Sequence, residues 1–252
     1  MSFYATLARY YDSEHADKTD DVSLYSDIAA EYGDPILIVG AGTGRVLLQL
    51  AQEGHTVTGI EAEENMIERA LRKKAFFPHL DAQITLIHGD ALKVPVKGQF
   101  KLAIIPYNTL MHFHSMESQL ALFKRLREWV EPGGGLLIDL PNASEAYAAQ
   151  DNEAITLERT FLDIDSGHLI MQQSVSSLDR AEQLMNVTWL YDEIDDEGVI
   201  HRSVIPVVIR YFFLTEITLL LKVAGFEIDD VYGDFDLVPF MDGVPRMIVL
   251  AK

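Results

Sequence analysis

Between residues 35 and 140, short apolar runs alternate with segments of helical period, and this alternation narrows the fold further than any other feature. Branched apolar runs at 36–39, 56–60, 83–87, 101–105 and 136–140 read as buried strands. The segments 45–52, 63–74 and 116–130 read as helices, the last with Leu120, Phe123, Leu126 and Val130 on one face. Strands joined through helices cannot pair as hairpins, so they build a parallel sheet covered on both faces. Two closing strands are expected at 226–232 and 246–251. The expected fold class is therefore α/β, a doubly wound, mostly parallel seven-stranded sheet.

After Pro141 the rhythm changes. Segments 155–163, 168–178, 184–194 and 199–210 read as extended, separated by turn clusters at 163–167, 179–183 and 195–198. Met185, Val187, Trp189 and Tyr191 alternate with polar residues, as in a half-buried antiparallel strand. A helix follows at 216–224, with Thr215 as expected N-cap and Gly225 as stop. Residues 1–35 read as two helices around a loop at 13–21. Three parts are expected: a helical cap at 1–35, a core at 36–150 and 211–252, and an inserted antiparallel β region at 151–210.

Charge excludes one class of partner. The chain carries 20 Lys and Arg against 39 Asp and Glu, a net −19, and a phosphate backbone is repelled by such a field. Residues 151–200 hold 12 acids against Arg159 and Arg180, a local net of −10, so about half of the excess lies in that stretch. There is no cysteine, which removes disulfides, thiolate metal sites and thiol nucleophiles. No apolar run reaches membrane-spanning length and no leading stretch resembles a signal peptide, so a cytoplasmic protein without membrane or nucleic-acid partners is expected. His112 and His114 sit two residues apart without a fixed third ligand, so no metal site is expected.

Three glycines in Gly40-Ala41-Gly42-Thr43-Gly44 join the first strand to its helix, which suits close approach of a ligand to the backbone. Glu61 ends the second strand 21 residues after Gly40, where a carboxylate can accept from ribose hydroxyls. The spacing is G-x-G-x-G with Arg45 next, which lacks the third glycine of the dinucleotide fingerprint. Asp90 follows the third strand, and Pro132-Gly133-Gly134 precedes the fifth.

In these residues the chain resembles the class I S-adenosylmethionine-dependent methyltransferases, in a small-molecule branch with an inserted β region. Val39–Gly44 resembles their first motif, Gly59-Ile60-Glu61 the acidic end of strand two, Gly89-Asp90-Ala91 the segment after strand three, and 131–135 the turn before strand five. Ala224-Gly225-Phe226 extends the likeness into the C-terminal half. Ile38 departs from the acidic residue that many members carry there. The resemblance implies S-adenosyl-L-methionine as cofactor, with Gly40, Ala41, Gly42 and Gly44 under its methionine end and loop amides suited to its carboxylate. It gives Glu61, beside Ala62, the ribose diol and Asp90 the adenine amino group. Ala91 and Leu92 flank the ring, and Met66 is either its second face or plain core. Pro106 and Tyr107 leave strand four beside the sulfonium, with Asn108 toward the acceptor. From an N-terminal cap with Tyr4, Tyr10 and Tyr11, Tyr11 is the preferred contact, at cofactor and chemistry, against an ordinary aromatic helix face.

His112 is a candidate general base and acceptor contact, or a structural histidine. The insertion resembles an acceptor lid, with Arg210 and Tyr211 returning from it toward a substrate pocket. Ile104-Ile105-Pro106-Tyr107 lacks the loop of DNA adenine methyltransferases. The expected reaction is methyl transfer to nitrogen or oxygen of a small molecule. The insertion's acidity suits an amine, or is simply a solvated hairpin surface. The alternatives are a nicotinamide-type oxidoreductase and a non-catalytic cofactor-binding or interaction module.

Overall fold

The computed structural model describes residues 3–143 and 152–252. Two helices, α1 (Phe3–Glu14) and α2 (Asp20–Tyr32), precede the alternating region. That region runs β1 (Ile36–Val39), α3 (Arg45–Gln52), β2 (Val57–Glu61), α4 (Glu64–Lys74), β3 (Ile84–His88), β4 (Phe100–Ile105), α5 (Met116–Trp129) and β5 (Val130–Pro141). Four antiparallel strands follow: β6 (Asn152–Leu162), β7 (Leu169–Asp179), β8 (Leu184–Ile194) and β9 (Ile200–Arg210). The chain closes with α6 (Leu214–Ala224), β10 (Ile228–Tyr232) and β11 (Arg246–Ala251).

The expected seven-stranded sheet is present, in the order β10-β11-β5-β4-β1-β2-β3. β1 pairs in parallel with β2 and β4, while β11 is antiparallel to both β10 and β5. All four β1 residues are buried, as a central strand covered on both faces requires. α3 buries Val46, Leu47, Leu50 and Ala51, its apolar stripe, in the core that also holds Ile36, Ile38 and Leu137. Because β1 lies between β2 and β4, the loops after these three strands emerge at neighbouring points of one sheet edge, the position where such folds bind ligands.

The chain divides into two compact units, one of Met1–Lys18 with Ala143–Tyr211 and one of Thr19–Asn142 with Phe212–Lys252. The helical segment 1–35 is thus shared between them. Tyr10 of α1 stacks on Tyr191 of β8 with ring centroids 5.0 Å apart, whereas Leu24, Tyr25 and Ile28 of α2 join the core around α3. The expected boundary at 150/151 lies outside the described residues.

Two local expectations change. β5 begins at Val130, so the glycine run lies inside the strand and not before it. A Cβ on Gly134 would come within 2.8 Å of the Lys101 carbonyl, and one on Gly135 within 2.5 Å of the Tyr32 ring, so close packing demands these glycines. α6 starts at Leu214 because the Phe213 carbonyl already accepts from Glu216 and Ile217; Phe213, not Thr215, is the N-cap, and Gly225 ends the helix in the left-handed conformation. Among the described residues no helix is long and apolar enough to cross a membrane.

Candidate active site

The loop after β1 turns on Gly40, Gly42 and Gly44, at φ of 80°, 57° and 81°. The amides of Gly40 and Ala41 both donate to the Ile60 carbonyl at 2.9 Å, and that of Gly44 donates to Ala41 at 2.9 Å. Two of the glycines do different work. A Cβ on Gly40 would overlap the Thr109 side chain, whereas nothing lies within 4 Å of where a Cβ on Gly42 would stand. Gly40 therefore seats the loop against the segment after β4, and Gly42 faces open space.

The flanks of this loop are tied down by charge. Arg45, the first residue of α3, grips the fully buried Asp21 of α2 with two bonds of 2.8 and 2.6 Å. Lys73 of α4 donates to Thr43 at 2.9 Å.

Glu61 is 9 % exposed at the end of β2. One carboxylate oxygen accepts from the Gly42 amide at 2.7 Å and the other from the Glu63 amide at 2.9 Å. Burial raises its pKa, and the amides of Glu63, Gly42 and Ala62 oppose that shift. The amides of Gly40, Ala41, Gly42 and Gly44 all donate inside the protein. The loop offers open space at Gly42 beside a carboxylate fixed by backbone amides.

Glu61 pairs in register with His88, so the segment after β3 emerges next to it. There Gly89, at φ 149°, packs so tightly on Val94 that a Cβ would overlap it. Asp90 accepts from the Leu92 amide at 2.8 Å and pairs with Lys93 at 3.0 Å. Partial burial pushes its pKa up, but these partners and Arg125 together hold it below the usual carboxylate range. Arg125 of α5 donates to the carbonyls of Leu92 and Val94, clamping this turn. Ala91 is buried and Leu92 half-buried, Ala62 is exposed, and Met66 is 1 % exposed within α4.

The segment after β4 is held by three residues that sequence reasoning missed, Tyr25, Asp139 and Arg246. Tyr107 and Asn108 have φ of 29° and 65°, uncommon for residues with side chains. The Tyr107 amide donates to the Tyr25 hydroxyl at 3.2 Å, and the Asn108 amide to the Asp139 carbonyl at 3.0 Å. The Tyr25 hydroxyl donates in turn to the Asp139 carboxylate, which is fully buried at the end of β5. Arg246 donates from Nε to the same carboxylate at 2.9 Å and from Nη2 to Asn108 Oδ1 at 2.9 Å. Burial pushes the Asp139 pKa up, against the pull of Arg246 and Tyr25. The one available signal was Asp139 itself, a lone acid inside the apolar run 136–140.

His112 ends the short 3₁₀ turn Thr109–His112 that follows, with its side chain exposed. The protein around it, and then His114, lower its pKa from the ordinary histidine value. The imidazole is thus neutral at pH 7 and suited to hydrogen bonding. An efficient general base has a pKa nearer the working pH.

The remaining expected site residues belong to the other unit. Tyr11 stacks on His15 with centroids 4.3 Å apart. Arg210 donates to the Glu182 carbonyl at 3.0 Å and the Tyr211 amide to the Gln183 carbonyl at 3.1 Å, so both are tied to the β7–β8 turn. The Tyr4 side chain lies outside the described residues. Much of the acidity here is engaged locally: Asp192 by Arg202 at 2.6 Å, Glu193 by Arg9 at 2.7 Å and by His168 at 2.8 Å, and Asp195 by His201 at 2.8 Å. Among the described residues no cluster of three or more His, Cys, Asp or Glu is arranged to hold a metal ion.

Residues 36–134 match the methyltransferase-domain family. The cypemycin N-terminal methyltransferase of Streptomyces sp is 23% identical over 221 residues, covering 87% of this chain and 83% of that protein. The CcbJ methyltransferase from Streptomyces caelestis superposes with a TM-score of 0.77 at 23% identity, over 96% of this chain and 95% of that one. SAM-bound CalS10, an amino pentose methyltransferase from Micromonospora echinaspora, gives a TM-score of 0.66 at 17% identity, over 92% and 90%.

Proposed function

This chain is an S-adenosylmethionine-dependent methyltransferase of class I fold, and we propose that Gly40–Gly44, Glu61 and Asp90 hold the cofactor for methyl transfer to nitrogen or oxygen of a small molecule. The observation that carries this reading is the open space at Gly42 directly beside the amide-fixed carboxylate of Glu61. The Glu61 carboxylate accepts from the ribose hydroxyls through lone pairs its backbone amides leave open. Asp90 presents a carboxylate to the adenine amino group, Ala91 and Leu92 supply backbone and apolar surface to the ring, Met66 of α4 packs on the ring's other face, and Ala62 lies beside the ribose. Gly40, Ala41 and Gly44 shape the floor under the methionine end.

The cofactor, when bound, supplies a methyl group already activated on a positive sulfur. The protein therefore needs alignment and an acceptor with a free lone pair, not a strong nucleophile. Pro106 and Tyr107 border the methyl-bearing end. Asn108 and the neutral imidazole of His112 face the acceptor, where His112 accepts a hydrogen bond from it. The roles of Tyr11, Arg210 and Tyr211 rest on the resemblance alone, and substitution tests each.

A net charge of −19 supports a small molecule over nucleic acid. One relative is named an N-terminal methyltransferase and another an amino pentose methyltransferase, and both names favour an amine-bearing acceptor. The acidity of the four-stranded unit is partly engaged already, since Asp192 and Glu193 have local partners. The same reading takes a cytoplasmic setting and no membrane partner.

The test is a transfer screen with methyl-labelled S-adenosylmethionine, in which the protein meets a metabolite extract and, separately, RNA and DNA. Label is expected in an amine or hydroxyl compound of the extract. Label only in nucleic acid would overturn the acceptor class.

A further inference from the structure

We propose that Arg246 is a positioning residue for methyl transfer: by bridging the buried Asp139 carboxylate to the Asn108 side chain, it sets the β4 loop at the methyl-bearing end of the site. The inference rests on the cofactor reading above.

Two consecutive residues with side chains, Tyr107 and Asn108, stand at positive φ, a conformation that persists only where surrounding structure imposes it. Three bonds impose it here, to Tyr107 N, Asn108 N and Asn108 Oδ1. All three lead back to Asp139, through Tyr25, through its own carbonyl and through Arg246. Arg246 also lies under the Tyr107 ring, 5.4 Å from its centroid, and its side chain is only 12% exposed. Serving a carboxylate and an amide oxygen at once needs the guanidinium fork, which a lysine ammonium cannot reproduce.

The antiparallel register of β11 on β5, with Ile248 opposite Asp139 and Arg246 opposite Pro141, brings the guanidinium to the strand end from which the loop is held. Movement of this loop does not stay local, because Thr109 packs directly on Gly40. An in-line displacement is sensitive to shifts of this kind, and small misplacement at the reacting end is costly.

The test compares binding of S-adenosylhomocysteine, S-adenosylmethionine and sinefungin by calorimetry. These ligands share both ends and differ only where the methyl sits. In Arg246→Met, the ratio of S-adenosylmethionine to S-adenosylhomocysteine affinity is expected to change at least fivefold, with S-adenosylhomocysteine affinity held within twofold. Sinefungin is expected to shift with S-adenosylmethionine, and Arg246→Lys to fall between Arg246→Met and wild type. Asn108→Gly tolerates the left-handed backbone, removes only the side-chain link, and is expected to shift the ratio in the same direction.

Equal weakening of all three ligands in Arg246→Met, or an unchanged ratio, would overturn the proposal. Should Arg246→Met fail to fold, an unchanged ratio in Asn108→Gly overturns it as well. Wild type that binds none of the three removes the cofactor assignment itself, a result distinct from the loss of positioning alone.

Discussion

Glu61→Ala is expected to weaken S-adenosylmethionine binding roughly 10- to 100-fold, as loss of hydrogen bonds to a charged acceptor costs about 1.5–3 kcal/mol. The substitution removes the ribose partner and also strips the Gly42 and Glu63 amides of theirs. The pH dependence has a definite sign. Only the ionised carboxylate accepts from both hydroxyls, and burial raises its pKa above the ordinary 4.5. Wild-type affinity is therefore full above that raised pKa and falls as pH drops through it. In Glu61→Ala the weak affinity loses this component. Calorimetry from about pH 4.5 to about pH 7.5 reads both effects. An unchanged affinity in the variant would remove Glu61 from the site.

Asp139→Ala is expected to cost about 3–5 kcal/mol of stability, the range for leaving one member of a buried ion pair without the other. Arg246 would keep its charge with little solvent to replace the carboxylate, and the Tyr25 hydroxyl would lose its acceptor. Tyr25→Phe is the comparison. It keeps the ion pair and removes bonds to Asp139 and Tyr107, which corresponds to about 1–3 kcal/mol. Urea unfolding of both variants ranks them. An Asp139→Ala cost no larger than that of Tyr25→Phe would mean the ion pair does not organise this end of the sheet.

The sheet was legible because its signals are local. Ile36–Val39 is apolar throughout since both its faces are covered, and the antiparallel strands betray themselves through alternation, as in Met185, Val187 and Tyr191. The glycine spacing and the step to Glu61 were equally readable, and they lie together at the ends of β1 and β2.

What could not be read depends on register and distance. Asp139 signalled a buried charge, but its partner Arg246 lies 107 residues away and reaches it only through the β11–β5 pairing. Tyr25 stands at apolar spacing in α2; its hydroxyl acts only because α2 packs beside β5 and the β4 loop. The different allegiance of α1 and α2 was hidden for a related reason. Both are amphipathic, and amphipathicity says that a face is buried without saying against what. Charge counting alone does not show pairing: Asp192 and Asp195 pair with Arg202 and His201 inside the insertion, and Glu193 with Arg9 of α1.

Calorimetric titration of the full chain with S-adenosylmethionine and, separately, with NAD tests the central claim most directly. The missing third dinucleotide glycine, the opening at Gly42 and the carboxylates of Glu61 and Asp90 predict saturable one-to-one binding of S-adenosylmethionine and none of NAD. Binding of NAD with no binding of S-adenosylmethionine would contradict the account.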